Sequence, residues 1–179
     1  RSEFPHPIRE TLNTWIPLVD GTRLAARIWL PEDAEATPVP AILEYLPYRK
    51  DDGTAADDAR RHPYFAGHGY ASVRVDLRGT GDSDGLLRGE YLEQEQDDAL
   101  EVLRWLADQP WCTGDVGMIG YSWGGFNGLQ VAALRPPELA RDLVRRPRGT
   151  DVEHGATLPA AAPEPGDVLD DADLVVHVH

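Results

Sequence analysis

The sequence predicts an α/β protein whose mostly parallel sheet is flanked by helices in three layers. Three observations carry this. Short apolar runs alternate with helical patterns as far as Leu134, and the strongest helical pattern, residues 93–108, lies between two such runs. The run at residues 116–120 then passes directly into a second helical pattern at 126–134. Strands that alternate with helices are joined by crossovers, which favours parallel pairing with helices on the faces.

Residues 11–18 and 23–30 read as an antiparallel pair, because Asp20-Gly21 between them is a strong hairpin signal. Residues 31–40 are polar and Pro-bearing, a surface loop. Residues 41–46 form a short apolar run ended by Pro47, the pattern of a buried strand. Residues 49–61 are charged and read as loop, with Pro63 opening a short helix that closes at Gly67 or Gly69. Residues 70–75 are the next strand, and 76–89 a Gly-rich polar excursion.

In residues 93–108, Ala99, Leu103 and Leu106 recur at helical spacing with Leu92 just ahead, acids fill the outer face, and Pro110 stops the helix. After Arg135 the character changes. Pro136-Pro137 breaks the helix, no Phe, Trp or Tyr follows Phe126, and residues 151–173 are rich in Ala, Pro and Asp. Such a segment has too few large apolar groups to offset its ordering entropy, so 140–179 is expected to be a disordered, low-complexity tail and 1–139 the folded domain. Residues 174–179 alternate weakly and would form a strand on an available edge.

The chain has 179 residues, enough to bury a core, and 41% of them are hydrophobic. A formal net charge of −14 argues against a nucleic-acid partner, because phosphate would be repelled. No apolar run is long enough to span a bilayer. Cys112 is the single cysteine, so an internal disulfide is excluded and the thiol reads as structural. The chain begins at Arg1 without a charged-then-apolar signal segment, and a cytoplasmic location is the expectation.

The chemistry gathers at Gly120-Tyr121-Ser122-Trp123-Gly124. Gly-x-Ser-x-Gly alone matches often by chance. Between an apolar strand and a helix it describes a nucleophile elbow, a strained turn that lifts the serine oxygen above the sheet. Side chains at Gly120 or Gly124 would collide with the adjoining strand and helix. The backbone N–H of Trp123 then faces the place where an oxyanion forms, near a helix N-terminus. Arg78-Gly79-Thr80-Gly81 superficially suggests a phosphate loop, but no Lys-Ser or Lys-Thr follows at the required spacing. A structural turn with Arg78 paired to an acid is the expectation there. His62 and His68 are expected at the surface or in packing roles.

Ordered motifs extend the pattern: Asp20-Gly21-Thr22-Arg23-Leu24, Tyr45-Leu46-Pro47-Tyr48-Arg49-Lys50, Asp76-Leu77-Arg78-Gly79-Thr80-Gly81-Asp82-Ser83, and Gly114-Asp115-Val116-Gly117 before the elbow. On these the chain resembles the cocaine-esterase and X-Pro dipeptidyl-peptidase family of α/β-hydrolases (CocE/NonD-type), over roughly its first three quarters. The resemblance implies the N-terminal portion of an α/β-hydrolase fold, with Ser122 as the acylated nucleophile. It also implies Trp123 as the backbone oxyanion donor and the Tyr48 hydroxyl as the second donor.

The implied substrates are small-molecule esters or peptides, cleaved through an acyl-serine intermediate. No cofactor and no metal is implied, since acyl transfer by serine needs neither.

In this family the acid and the histidine lie far downstream of the serine, and the resemblance stops near residues 134–139. The catalytic acid and base are therefore unassigned, and the expectation is a truncated, frame-shifted or rearranged end. Asp167, Asp170, Asp171 and Asp173 precede His177 and His179, but they share one short segment with no scaffold to orient an imidazole. His154 is a lone tail histidine. The alternative to a hydrolase is thus an inactive fragment or partner-binding remnant. Loss of later strands would leave 116–120 as an apolar sheet edge, an invitation to self-association.

Overall fold

The computed structural model describes residues 4–139, together with the backbone of a short strand at Leu174–Val176. In chain order the elements are β1 (Ile8–Pro17), β2 (Arg23–Pro31), β3 (Val39–Leu46), α1 (Ala55–Gly67), β4 (Ala71–Asp76), α2 (Glu93–Ala107), β5 (Cys112–Gly120), α3 (Trp123–Leu134) and β6 (Leu174–Val176). They build one mixed sheet of order β1-β2-β4-β3-β5-β6. Parallel pairing is confined to its centre, where β3 lies between β4 and β5. The β1–β2 hairpin and β6 add antiparallel edges.

The hairpin turns where Asp20-Gly21 requires it. Gly21 adopts φ 86°, and the Asp20 carboxylate accepts from the Thr22 N–H at 2.9 Å. At the far side β6 pairs with Met118, Ile119 and Gly120, and Leu139 bridges Val116. The edge expected to be bare is therefore covered along those residues. Residues 140–173 and 177–179, where most of the expected tail falls, lie outside those described.

Alternation along the strands sorts the sheet into two faces of different chemistry. One face is apolar. Leu24, Ala26 and Ile28 of β2, Leu43 and Tyr45 of β3, Val73 and Val75 of β4 and Met118 of β5 pack in one cluster with Ala99, Val102, Leu103 and Leu106 of α2. Each Val, Leu, Ile or Met side chain in the cluster contributes about 1.5–3 kcal/mol by leaving water, and each alanine methyl less.

The other face is charged and just as dry. Glu44 of β3 and Ser72 and Arg74 of β4 are fully buried against Asp58, Arg61 and His62 of α1. His62 Nε2 lies 2.9 Å from Glu44 Oε2 and its Nδ1 lies 2.7 Å from Ser72 Oγ. The imidazole also stacks on Trp29 with ring centroids 4.6 Å apart. Arg61 reaches Glu44 Oε1 at 3.2 Å, and Arg74 lies 3.4 Å from Asp58. Burial pushes the Glu44 carboxyl up, but the His62 hydrogen bond and the neighbouring Arg61 and Arg74 guanidiniums outweigh it, holding the group below its usual range. At Asp58 burial wins, and its carboxyl is pushed up.

This face corrects the expected course of residues 49–69. The helix begins at Ala55, not at Pro63, and Pro63 lies inside it. The inward positions Asp58, Arg61 and His62 are polar, so no apolar periodicity marks the helix. His62 is a buried, doubly bonded packing residue, whereas His68 is exposed.

The loop after β4 is tied down by Arg78. Its guanidinium donates to both oxygens of the nearly inaccessible Asp98 at 2.7 Å, and to Asp20 at 2.7 Å. This is the structural turn expected of Arg78.

Removing one member of the buried network should be costly. Glu44→Ala leaves Arg61 and Arg74 facing a void, and is expected to lower unfolding free energy by about 3–5 kcal/mol in urea titrations. The Arg78 hydrogen bond, followed by those from Thr22, lowers the exposed Asp20 carboxyl to about 2. A folded value below the unfolded one means that Asp20 supports folding above the ordinary range near about 4 and loses that support as pH falls toward 2. Carboxyl NMR should find Asp20 ionised at about pH 3 in the wild type and shifted upward, part of the way to the ordinary aspartate range, in Arg78→Ala, where the Thr22 bonds remain.

Candidate active site at the C-terminal ends of the central strands

β3, β4 and β5 run parallel, so the chain leaves all three on the same side of the sheet, where α/β proteins collect their site residues. β5 ends at Gly120 and α3 starts at Trp123, leaving two residues to reverse the chain. Ser122 takes the strain, with φ 49° and ψ −119°, and its side chain is exposed. The Phe126 N–H donates to the Ser122 carbonyl at 3.1 Å, closing the first turn of α3.

Two glycines make the reversal physically feasible. A Cβ on Gly120 would lie 2.4 Å from the carbonyl carbon of Gly124, and one on Gly124 would lie 2.9 Å from Leu46 Cδ2. Both close approaches are of the kind the motif predicts.

Tyr48 enters from the loop after β3. Its hydroxyl accepts from the Trp123 N–H at 3.4 Å, and its ring lies 5.7 Å from that of Tyr121. A single oxygen could sit about 2.9 Å from both groups, since their separation is only slightly larger. Ser122, Trp123 and Tyr48 are thus brought together.

The Tyr48 loop is anchored from below: the Lys50 N–H donates to Asp76 Oδ1 at 2.8 Å, and the buried Lys50 Nζ reaches Asp82 at 3.0 Å. Burial pushes the Asp76 carboxyl up, against the pull of Arg74. Arg61 lies over the Tyr121 ring at 5.5 Å, joining the charged face to the elbow, and burial raises the Tyr121 phenol to about 12.

Strain concentrates here. Among the described residues, Arg49 (φ 62°), Tyr91 (φ 57°) and Ser122 (φ 49°) are three of the four non-glycine positions with positive φ. Sequence reasoning missed Tyr91, Glu95 and the anchoring role of Asp76. Tyr91 packs on Trp123, and Glu95 bonds its indole. No periodic pattern flags such residues, because each acts through a contact distant in sequence.

Among the described residues no imidazole hydrogen-bonds Ser122. His62 is held by Glu44 and Ser72, and His68 Nδ1 lies 2.7 Å from the Tyr64 carbonyl. The Ser72–His62–Glu44 chain has the residue types of a hydrolytic triad, but its hydroxyl is sealed from solvent. His154, His177, His179 and Asp167, Asp170, Asp171 and Asp173 lie outside the described residues.

Glu44, Asp58 and His62 also bring ligand-type atoms within 4.8 Å of one another. Arg61 and Arg74 already neutralise those carboxylates, and both His62 nitrogens are engaged, so the donor set fits an ion network better than a cation. Burial pushes the Cys112 thiol up, as expected of an inert cysteine.

With this geometry in place, comparison with known proteins is informative. Residues 20–143 match the family described as X-Pro dipeptidyl-peptidase (S15 family). The chain belongs to that family. Cocaine esterase of Rhodococcus sp. (strain MB1 Bresler) is 36% identical over 146 residues, 75% of this chain and 24% of that protein. A Streptomyces avermitilis protein provisionally named Xaa-Pro dipeptidyl-peptidase is 33% identical over 125 residues, 53% of this chain and 18% of that protein.

Among solved structures, a CocE/NonD family hydrolase from Staphylococcus aureus superposes with a TM-score of 0.65 at 26% identity, covering 74% of this chain and 26% of that one. The S15-family chain thus has the α/β-hydrolase fold in part and spans between 18% and 26% of the length of these relatives.

The two glycines rank their own substitutions. Gly120→Ala drives a methyl into backbone and should cost about 3 kcal/mol or more. Gly124→Ala meets chiefly the Leu46 side chain, whose outer methyl can shift although its Cβ at 3.2 Å cannot move far, and should cost less, about 1–2 kcal/mol. Urea unfolding of the two variants checks the order.

Proposed function

We propose that this chain carries the nucleophile and oxyanion half of a serine hydrolase that cleaves ester or amide bonds through an acyl-Ser122 intermediate. The observation that carries the reading is the exposed Ser122 on a strained turn, next to the Trp123 N–H and Tyr48 Oη held 3.4 Å apart. Ser122 Oγ adds to the carbonyl carbon while its proton passes to a base. The carbonyl oxygen becomes an anion that accepts from the Trp123 N–H and the Tyr48 O–H. Collapse expels the alcohol or amine with a proton, leaving the acyl-serine. Water then repeats the addition and releases the acid.

A phenol suits the second donor because it offers a proton without adding charge, and the N-terminus of α3 adds a favourable dipole. Small acyl esters are the first choice of substrate and X-Pro peptides the second, in keeping with the names of the relatives. The acid and the base are unassigned. We assign the catalytic segment to residues 1–139 and set 140–179 apart from it, a division supported by the extent of the family match.

A fluorophosphonate probe tests the reading. The wild type should label slowly, Ser122→Ala not at all, and Tyr48→Phe about 100-fold more slowly than wild type. Folded wild type that never labels would overturn it in favour of a non-catalytic remnant.

A further inference from the structure

We propose that Glu95 is a positioning residue for the oxyanion side of this site, acting through the indole of Trp123. The inference rests on reading the Trp123 N–H as an oxyanion donor. As the first residue of α3, Trp123 has a backbone N–H with no partner in the helical ladder, so the ladder does not fix its direction. Its side chain, by contrast, is held firmly. The indole Nε1–H donates to Glu95 Oε2 at 2.8 Å, and Glu95 is only 5% exposed.

Glu95 is itself fixed. It stands in the first turn of α2, where Oε1 accepts from the Leu92 N–H at 3.4 Å. This is half of a capping box, since Leu92 has no side-chain oxygen to return the bond. Charge-assisted hydrogen bonds of this kind are among the stronger ones in proteins.

The surrounding chain is arranged for the same contact. Tyr91 accepts an unfavourable φ of 57°, and its ring then packs 5.2 Å from Trp123 and 5.3 Å from Phe126. One carboxylate therefore joins the N-terminus of α2 to the residue that follows the nucleophile, across 28 positions of sequence. Holding the indole restrains rotation of residue 123 and keeps its N–H aimed beside the Tyr48 hydroxyl. An error of about 1 Å in such a group costs up to about 100-fold in rate.

The test uses the 179-residue chain with two readouts. Indole N–H resonances identify Trp123 by the one lost in Trp123→Phe. That resonance should move upfield in Glu95→Ala and stay near its place in Glu95→Gln, which keeps an acceptor oxygen. Fluorophosphonate labelling should slow about tenfold in Glu95→Ala and recover to within about twofold of wild type in Glu95→Gln. In the Trp123→Phe background, Glu95→Ala should change labelling by less than about twofold.

An unmoved resonance, or an equal loss from Glu95→Ala in both backgrounds, would overturn the proposal and leave Glu95 as a helix cap. The two failures are distinguishable. A wild type that never labels defeats the hydrolase reading, whereas the indole resonance still decides whether Glu95 holds Trp123.

Discussion

Gly120 and Gly124 approach so closely that a methyl group on the first would sit inside the backbone of the second, and the rest of the site is built on that contact. It brings β5 and α3 together with only Tyr121 and Ser122 between them. Ser122 then adopts φ 49°, is exposed, and places Trp123 at the start of a helix. Residue 123 consequently has a backbone donor free of the helical ladder. Tyr48 and Glu95 approach that residue from opposite parts of the chain, one meeting its backbone and the other its side chain.

Beneath this turn the sheet has two faces that hold together by different physics. The α2 face is aliphatic and gains by excluding water. On the α1 face, two carboxylates, two guanidiniums and an imidazole are withdrawn from solvent together. Burying any one charge alone would be prohibitive, so the members are worth having only as a set. Such a set contributes less to net stability than an apolar core of equal volume would, but it tolerates few rearrangements. It fixes α1 in one register against β3 and β4, and through Arg61 it reaches the Tyr121 ring next to Ser122.

Much of this was legible in the sequence because the relevant signals are local. Asp20-Gly21 marks the hairpin, the spacing of Ala99, Leu103 and Leu106 marks α2, and the strand before Gly-x-Ser-x-Gly marks the elbow. The first half of α1 was illegible because its buried positions are Asp58, Arg61 and His62, which hydrophobic periodicity reads as solvent-facing. Tyr48 has no local signature at all, and only a resemblance extending over several motifs suggested its role. Glu95 shows the same limit. Read along the chain it is one acid among many at a helix start, and its contact with Trp123 exists only once α2 and β5 are packed.

The distribution of unfavourable dihedrals has an evolutionary consequence. Arg49, Tyr91 and Ser122 each hold a backbone conformation that a glycine would take at lower cost; Arg49 follows Tyr48 in sequence, and Tyr91 packs on Trp123. Variants selected only for resistance to heat would find gains at these places, by substitutions that relax the backbone. Each gain would loosen the surroundings of the serine. Relaxing the backbone and keeping the turn at Ser122 are thus opposed within one small neighbourhood, and lineages evolving toward heat tolerance would keep that turn only by finding their improvements elsewhere in the molecule.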